Sequence, residues 1–145
     1  MHFEKILEND SLWIAILSWF IAQIIKIIIS FIMHKKINLR LLFSSGGMPS
    51  SHSSFIVAIT TSIGFLEGFD TPLFALAAII SLIVMYDASG VRRAAGKQAE
   101  VINLFFDTEG NKFKLDKKLK EKLGHTPLEV LAGAILGIAI ALFFI

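Results

Sequence analysis

The chain has 145 residues, of which 54% are hydrophobic and 18% charged, a composition typical of a membrane protein and not of a soluble one. It contains no cysteine, which excludes disulfides, thiolate nucleophiles and cysteine-based zinc sites. The net charge of +2 says less than the positions of the basic residues, since those positions set the orientation of a membrane protein.

Four apolar segments predict an all-α fold, an integral membrane helical bundle of about four transmembrane segments in a single domain over residues 1–145. The first segment gives roughly 33 Å of helix, enough to span a hydrocarbon core of about 30 Å. A tight turn joins the second and third into a helical hairpin. A polar insertion precedes the last, with a surface helix expected over 91–106 and a solvated Lys-rich part after it. In order, the segments and the insertion are 12–33, 50–66, 73–89, 90–126 (the insertion) and 127–145.

The basic residues lie mostly in two loops. Residues 34–48 hold three Lys or Arg and residues 90–126 hold nine, out of 14 in the whole chain. Loops rich in Lys and Arg face the cytoplasm. We therefore expect a multi-pass protein of the cell membrane, with these loops inside and both termini outside.

The stretch GGMPSSH, residues 46–52, stands directly before the second apolar segment. The N-terminus of a helix has unpaired N–H groups and a dipole that favours anions, so it binds phosphate well. Ser50 and Ser51 are candidate phosphate ligands, and His52 is a candidate proton donor to a leaving oxygen. The alternative is that one of the two serines is simply an N-cap and that His52 is an interfacial histidine.

His125 and Glu129 stand at the start of the last apolar segment, four residues apart and therefore able to meet. A carboxylate beside an imidazole fixes its tautomer and raises its nucleophilicity. The competing interpretation is a capping box, with Thr126 as N-cap, Pro127 in the first helical position and Glu129 three residues after the cap. The two interpretations do not exclude each other.

Cations are expected on the same membrane side as both histidines. Arg92 and Arg93 follow the third segment and suit bidentate phosphate binding, or they are positive-inside anchors. Lys26 lies within the first segment, where a lysine costs on the order of 2.5 to 3.5 kcal/mol. It needs a partner, either Asp87 or a phosphate held at the site.

This set of two histidines, one carboxylate and several cations suits phosphoryl transfer without a metal. A metal site built from His52, His125, Glu129 and Asp87 is the less favoured alternative. We expect no cofactor and no nucleic-acid partner.

The chain resembles the divergent branch of the type 2 phosphatidic acid phosphatase superfamily, relatives of the vanadium haloperoxidases. Residues 49–52, PSSH, are similar to the superfamily's Pro-Ser-Gly-His motif, and residues 125–133, HTPLEVLAG, are similar to the end of its third motif with Glu in place of Asp. The resemblance implies that His125 is a nucleophile forming a phosphohistidine, that Glu129 orients it, and that His52 is the acid for the leaving alcohol.

Three features depart from the superfamily pattern. Arg93 stands 32 residues before His125, where the superfamily has its Arg six residues before, so the insertion splits the third motif. Lys26 lacks the Arg-Pro partner expected seven residues later, and Arg40 is a candidate substitute. Four segments in place of six leave a thin wall around the site. A homodimer would complete that wall, and the small-residue pattern Gly133 to Gly137 serves either dimerisation or packing within one chain.

The leading hypothesis is a metal-independent phosphatase of a membrane lipid phosphate or diphosphate, acting through His125 at the cytoplasmic face. Lys26, Arg92 and Arg93 would stabilise the equatorial oxygens. The alternative is a non-catalytic membrane protein that binds anionic lipids or phosphate with a degenerate site, which the insertion and the Glu favour. A third alternative, a purely structural helical subunit, leaves Lys26 without an explanation.

Overall fold

The computed structural model describes residues 4–35, 46–108, 118–121 and 123–145. Within these residues every regular element is an α-helix. The helices are α1 (Glu4–Leu7), α2 (Asp10–His34), α3 (Ser51–Glu67), α4 (Pro72–Ser89), α5 (Val91–Thr108) and α6 (Pro127–Phe144). The candidate residue Arg40 lies outside the described residues.

Three helical stretches of the described chain are long and apolar enough to cross a bilayer. They are Asp10–His34, the joined helices over Pro72–Thr108, and Pro127–Phe144. The prediction of a helical membrane bundle is confirmed. The remaining predicted segment, α3, is not among the three: its 17 residues give only about 26 Å of helix, and many of its buried positions are hydroxyl residues.

The polarity of α3 follows from its position, because it packs against α2, α4 and α6. Its buried positions therefore meet other helices and not lipid, and small hydroxyl side chains at such positions allow close packing and hydrogen bonds between helices. Ser54 Oγ lies 2.6 Å from Ser18 Oγ of α2. Thr60 Oγ1 lies 2.7 Å from Ser81 Oγ of α4. These bonds fix α3 as the centre of the bundle.

The contact between α3 and α6 depends on two glycines. A Cβ at Gly133 would overlap the carbonyl oxygen of Ser50, and a Cβ at Gly137 would lie 2.5 Å from the carbonyl oxygen of Ser54. Both glycines let the two backbones touch. The predicted small-residue pattern therefore serves packing within the chain.

Side chains fix where the helices begin. Ser50 caps α3 by accepting a hydrogen bond from the N–H of Ser53. Thr71 and Thr126 cap α4 and α6, each followed by a proline in the first turn. Thr126 forms the complete capping box with Glu129, so that prediction is confirmed.

The polar insertion begins with α5, close to where a surface helix was expected. Its last described part, residues 118–121 with 123–124, is called the return segment here, because it runs back along α5 towards α6. Asn103 of α5 binds the backbone of Leu119 in both directions, donating to the carbonyl oxygen at 2.8 Å and accepting from the N–H at 2.9 Å. The insertion therefore ends beside the helix where it started.

Candidate functional site

His125 is the buried centre of the candidate site. It stands two residues before α6, and only 3% of its surface is exposed. Its backbone N–H donates to the carbonyl oxygen of Ala88 at the end of α4, at 2.8 Å. Its side chain is thus held between the end of α4 and the start of α6.

One oxygen of Glu129 serves both His125 and the helix cap. Oε2 lies 3.1 Å from His125 Nδ1 and accepts from the backbone N–H of Thr126 at 3.0 Å. The contact between Glu129 and His125 and the capping box are therefore both present. Because the carboxylate is an acceptor, Nδ1 carries the proton, which leaves a lone pair on Nε2. Nε2 is buried and has no hydrogen-bond partner among the described residues.

The surroundings of His125 favour the neutral imidazole. Burial lowers the pKa of His125 below the ordinary histidine value, and the hydrogen bond and charge of Glu129, together with an interaction of the ring with the backbone of Gly47, oppose this shift. The positive charge of Lys26 lowers the pKa further. A neutral ring with its free lone pair on Nε2 is the form that a nucleophile requires.

His52 stands at the start of α3, next to His125. The two ring centroids are 6.3 Å apart and the planes meet at 62°. In contrast to His125, the side chain of His52 is exposed. One histidine is therefore fixed by a carboxylate while the other remains accessible.

Both histidines line one small pocket. Its walls come from α3, from the α4–α5 junction and from the residues before α6. The lining residues are His52, Val84, Asp87, Ala88, Arg92, Gly124 and His125. The pocket thus brings together residues from the three candidate stretches of the sequence, which contain His52, Arg92 and His125.

Arg92 reaches this pocket as an ion pair with Asp87, whose Oδ2 lies 2.7 Å from Nε of Arg92. Both side chains remain partly exposed. Asp87 therefore supports Arg92. The proposed pairing of Asp87 with Lys26 is wrong, because Lys26 Nζ has no hydrogen-bond partner among the described residues.

Lys26 is buried in the bundle with 3% of its surface exposed. A Cβ at Gly47 would lie 3.4 Å from its Cγ, so the side chain passes beside the loop before α3. Its charge interacts with those of Glu129, His52 and His125. A buried ammonium without a partner is costly, and an anion bound beside His125 would supply that partner.

The other predicted phosphate ligands differ in placement. Ser50 is fully buried and caps α3, while its backbone N–H donates to the carbonyl oxygen of Glu129 at 2.9 Å. Ser51 is also buried. Arg93 lines a second pocket, which contains Gly46, Gly47, Thr126 and Glu129 and shares Gly124 and His125 with the first. Phosphate binding by Ser50, Ser51 and Arg93 stays a prediction.

The two parts of the split third motif, Arg93 and His125, are brought close together by Gly124. Gly124 has a φ of +78°, and a Cβ there would lie 2.5 Å from the backbone nitrogen of Arg93. Arg93 and His125, 32 positions apart in the sequence, are thus brought together by the approach of Gly124 to Arg93. Within the described chain no group of three or more metal-ligating side chains is assembled, so the alternative metal site has no support there.

Sequence reasoning missed three contributors to this region: Val84, Gly96 and Asn103. Gly96, Ala99 and Asn103 are buried on one side of α5, at the spacing of one helical face. That stripe of small residues on a polar helix was the available signal. Val84 gave none, since it stands in a uniformly apolar segment.

Comparisons with known proteins identify the family of the chain. The uncharacterized membrane protein YuiD of Bacillus subtilis (strain 168) is 42% identical over 150 aligned positions, covering 95% of either chain. No solved structure shows significant similarity to the chain. A family profile described as the divergent PAP2 family matches residues 7–140, which confirms the resemblance drawn from the motifs around His52 and His125. The chain is a membrane protein that belongs to the divergent PAP2 family.

Proposed function

We propose that the chain is a metal-independent phosphatase that removes phosphate from a membrane lipid phosphate or diphosphate through a phosphohistidine at His125. One observation carries the proposal. His125 has Nδ1 bound to Glu129 and an Nε2 without a hydrogen-bond partner in the described part of the chain, in a pocket that also contains His52 and Arg92. Membership in the divergent PAP2 family supports the same chemistry.

The reaction has two steps. Nε2 of His125 attacks the phosphorus in line, the bond from phosphorus to the leaving oxygen breaks, and His52 gives that oxygen a proton. Water then attacks the phosphohistidine, His52 takes a proton from the water, and the bond from phosphorus to Nε2 breaks to release inorganic phosphate. Glu129 keeps the proton on Nδ1 and stabilises the positive charge that develops on the ring.

The cations stabilise negative charge on the phosphoryl oxygens. Within the described ranges, the one side-chain hydrogen bond of Arg92 runs from Nε to Asp87, so its other guanidinium N–H groups remain available for phosphate. Lys26 brings an ammonium that has no partner in the described residues. Removing either cation should weaken both substrate binding and turnover. The substrate already carries negative charge on its phosphate, and further negative charge develops on the leaving oxygen during the reaction.

An apolar groove beside the pocket supports a lipid as the substrate. The groove is open, and its lining residues are Trp19, His52, Phe55, Ile56 and Val84. His52 and Val84 belong to both the groove and the small pocket. A hydrocarbon chain in the groove would therefore present its phosphate to His125. Because the groove lies among α2, α3 and α4, such a chain enters from the bilayer.

The site faces the cytoplasm in this proposal, since the basic loops follow α2 and α4 and such loops remain inside. Both termini then lie outside. An accessibility assay on single cysteines introduced at Lys35 and at Phe144 in this cysteine-free chain tests the orientation. Labelling of position 144 and not of position 35 by an impermeant reagent on intact cells is the expected result, and the opposite pattern contradicts it.

The decisive experiment measures phosphate release by the purified, detergent-solubilised protein. Phosphatidate, phosphatidylglycerophosphate and a polyprenyl diphosphate are tested with a chelator present, beside His125→Ala and the control His34→Ala, an exposed histidine at the end of α2. We expect release that resists the chelator, disappears in His125→Ala and persists in His34→Ala.

The remaining outcomes separate the alternatives. Release that persists in His125→Ala removes the phosphohistidine mechanism. No release from any lipid, combined with binding to vesicles of anionic lipids, supports the non-catalytic lipid-binding function instead.

A further inference from the structure

The return segment is bound to α5 by one buried side chain. Nδ2 of Asn103 donates to the carbonyl oxygen of Leu119 at 2.8 Å and to Oε1 of Glu121 at 2.8 Å, and Oδ1 accepts from the N–H of Leu119 at 2.9 Å. Only 3% of Asn103 is exposed. Its amide thus both donates to and accepts from the backbone of one residue, as a neighbouring β-strand does.

Close contacts continue from Asn103 towards the site. A Cβ at Gly96 would overlap the carbonyl oxygen of Glu121 and lie 3.2 Å from the backbone nitrogen of Leu123. The approach of Gly124 to Arg93 and the hydrogen bond from His125 to Ala88 complete the series. The return segment therefore runs antiparallel to α5 and towards the end of α4. Its successive contacts approach His125 step by step along the chain.

The register of this contact decides where His125 stands. An extended chain advances about 3.3 Å per residue, so a slip of one residue would move His125 away from Ala88 and from Arg92. A displacement of even about 1 Å of a catalytic group costs on the order of 10²-fold in rate. Small residues at Gly96 and Ala99 permit the contact, but they specify no register. Among the described residues of the contact, a slip would break the hydrogen bonds of Asn103, the backbone bond from His125 to Ala88 and the exposed ion pair of Lys118 with Asp107. Of these, the bonds of Asn103 are the ones made by a buried side chain.

We propose that Asn103 is a positioning residue for His125, acting through the return segment to set the register that joins the two halves of the split motif. The proposal rests on the function proposed above for its kinetic readout. The position of the His125 imidazole can be tested independently of the proposed function, because it does not depend on which reaction the imidazole performs.

Two substitutions test the hydrogen bonds of Asn103. Asn103→Leu keeps a similar volume and leaves both backbone groups of Leu119 unpaired. Asn103→Asp keeps an acceptor for the N–H of Leu119 but brings a carboxylate towards Glu121. Adding Glu121→Gln to Asn103→Asp restores a donor opposite that carboxylate. The matched control is Asn9→Ala, which removes a side-chain cap from α2.

We expect Asn103→Leu and Asn103→Asp to lower kcat for lipid phosphate by about 100-fold, with KM within about threefold. The double variant with Glu121→Gln should recover part of the loss, and Asn9→Ala should retain wild-type kcat. A kcat in Asn103→Leu within twofold of wild type overturns the proposal. A loss of kcat that Asn9→Ala shows equally at the same melting temperature also overturns it.

A second readout does not depend on activity. In protein labelled with ¹³C-histidine, the ring signal of His125 is assigned by its absence in His125→Ala and titrated with pH. Displacement from its buried position moves its pKa towards the ordinary value in Asn103→Leu, with Asn9→Ala unchanged. An unchanged His125 titration in Asn103→Leu contradicts positioning. If the wild type releases no phosphate but the His125 titration still shifts in Asn103→Leu, positioning is upheld and the proposed function is removed.

Discussion

The contact between α3 and α6 and the contact between α5 and the return segment both carry residues of the candidate site, yet different interactions hold them. In the first, Gly133 and Gly137 bring two helix backbones together inside the bundle. In the second, the amide of Asn103 binds a chain that is not helical. Packing between helices holds the first, and hydrogen bonds at the polar end of the bundle hold the second.

The first contact is important mainly for folding of the chain, and the second mainly for assembly of the candidate site. Close helix packing supplies most of the stability of a membrane bundle, so the contact of α3 with α6 decides whether the chain folds. Segments with few buried apolar contacts open at lower free energy than the core. The contact with the return segment therefore decides whether His125 lies beside Arg92 in a chain that is already folded.

The largest effect is expected from breaking the first contact. Gly133→Leu places a side chain against the carbonyl oxygen of Ser50, and overpacking of this kind costs about 1–3 kcal/mol or more. We expect loss of the folded protein, measured by thermal unfolding in detergent. Ala139→Leu, on an exposed position of α6, is the control and should melt as wild type does. A normal melting temperature in Gly133→Leu would show that the helices pack differently.

Glu129 belongs to both regions, because its carbonyl oxygen accepts from Ser50 of the first contact and its carboxylate binds His125, which follows the return segment. Glu129→Gln tests this residue. Glutamine preserves the capping box but removes the charge beside His125, and a comparable loss in serine proteases lowers kcat by about 10⁴-fold. The carboxylate raises the pKa of His125 against the effect of burial, so its removal lowers that pKa further. The acid limb of kcat/KM should move to lower pH.

The control for this variant is Glu67→Gln, at the far end of α3, which should keep the wild-type profile. Phosphate release measured from acid to neutral pH gives both results. An acid limb that moves to higher pH in Glu129→Gln would mean that His125 does not carry the titration.

A smaller effect is expected from disturbing the second contact at Gly96. Gly96→Ala adds a methyl group against the carbonyl oxygen of Glu121 and forces the return segment outward, which should lower kcat by roughly 10-fold with little change in melting temperature. Gln98→Ala, on the exposed side of α5, should not change kcat. A loss of melting temperature as large as that of Gly133→Leu would show that the second contact also supports folding.

The smallest effect is expected at the rim of the second contact. Lys118 Nζ lies 2.6 Å from Asp107 Oδ2, with both side chains more than half exposed, and exposed ion pairs contribute little. Lys118→Ala should leave kcat and the melting temperature unchanged within error. A clear loss of kcat would mean that charge, and not Asn103, holds the return segment.

The sequence predicted the helices of the first contact because their signals are local. Apolar runs marked α2 and α6, and Thr126 with Pro127 marked the start of α6 where the structure has it. The charge count was enough to bring both histidines to one end of the bundle. These inferences needed only neighbouring residues or the sum of charges in a loop.

The second contact was not predictable in the same way. Asn103 looks like an ordinary polar residue of a surface helix, and its partner is a backbone group 16 residues away, which has no side-chain signature. The partner of Asp87 was also missed: it is Arg92, five residues later, and not the distant Lys26. The split between Arg93 and His125 therefore looked like a defect in the sequence, although Gly124 closes it.

The shared oxygen of Glu129 changes what an exchange between acidic residues means in this chain. A capping box needs a side chain long enough to reach back from the third helical position to the cap, and aspartate is one methylene shorter than glutamate. Restoring the aspartate typical of the superfamily would make one carboxylate too short for its two donors, the N–H of Thr126 and Nδ1 of His125. The glutamate that resembled decay of the motif is thus the residue whose length fits the start of this helix.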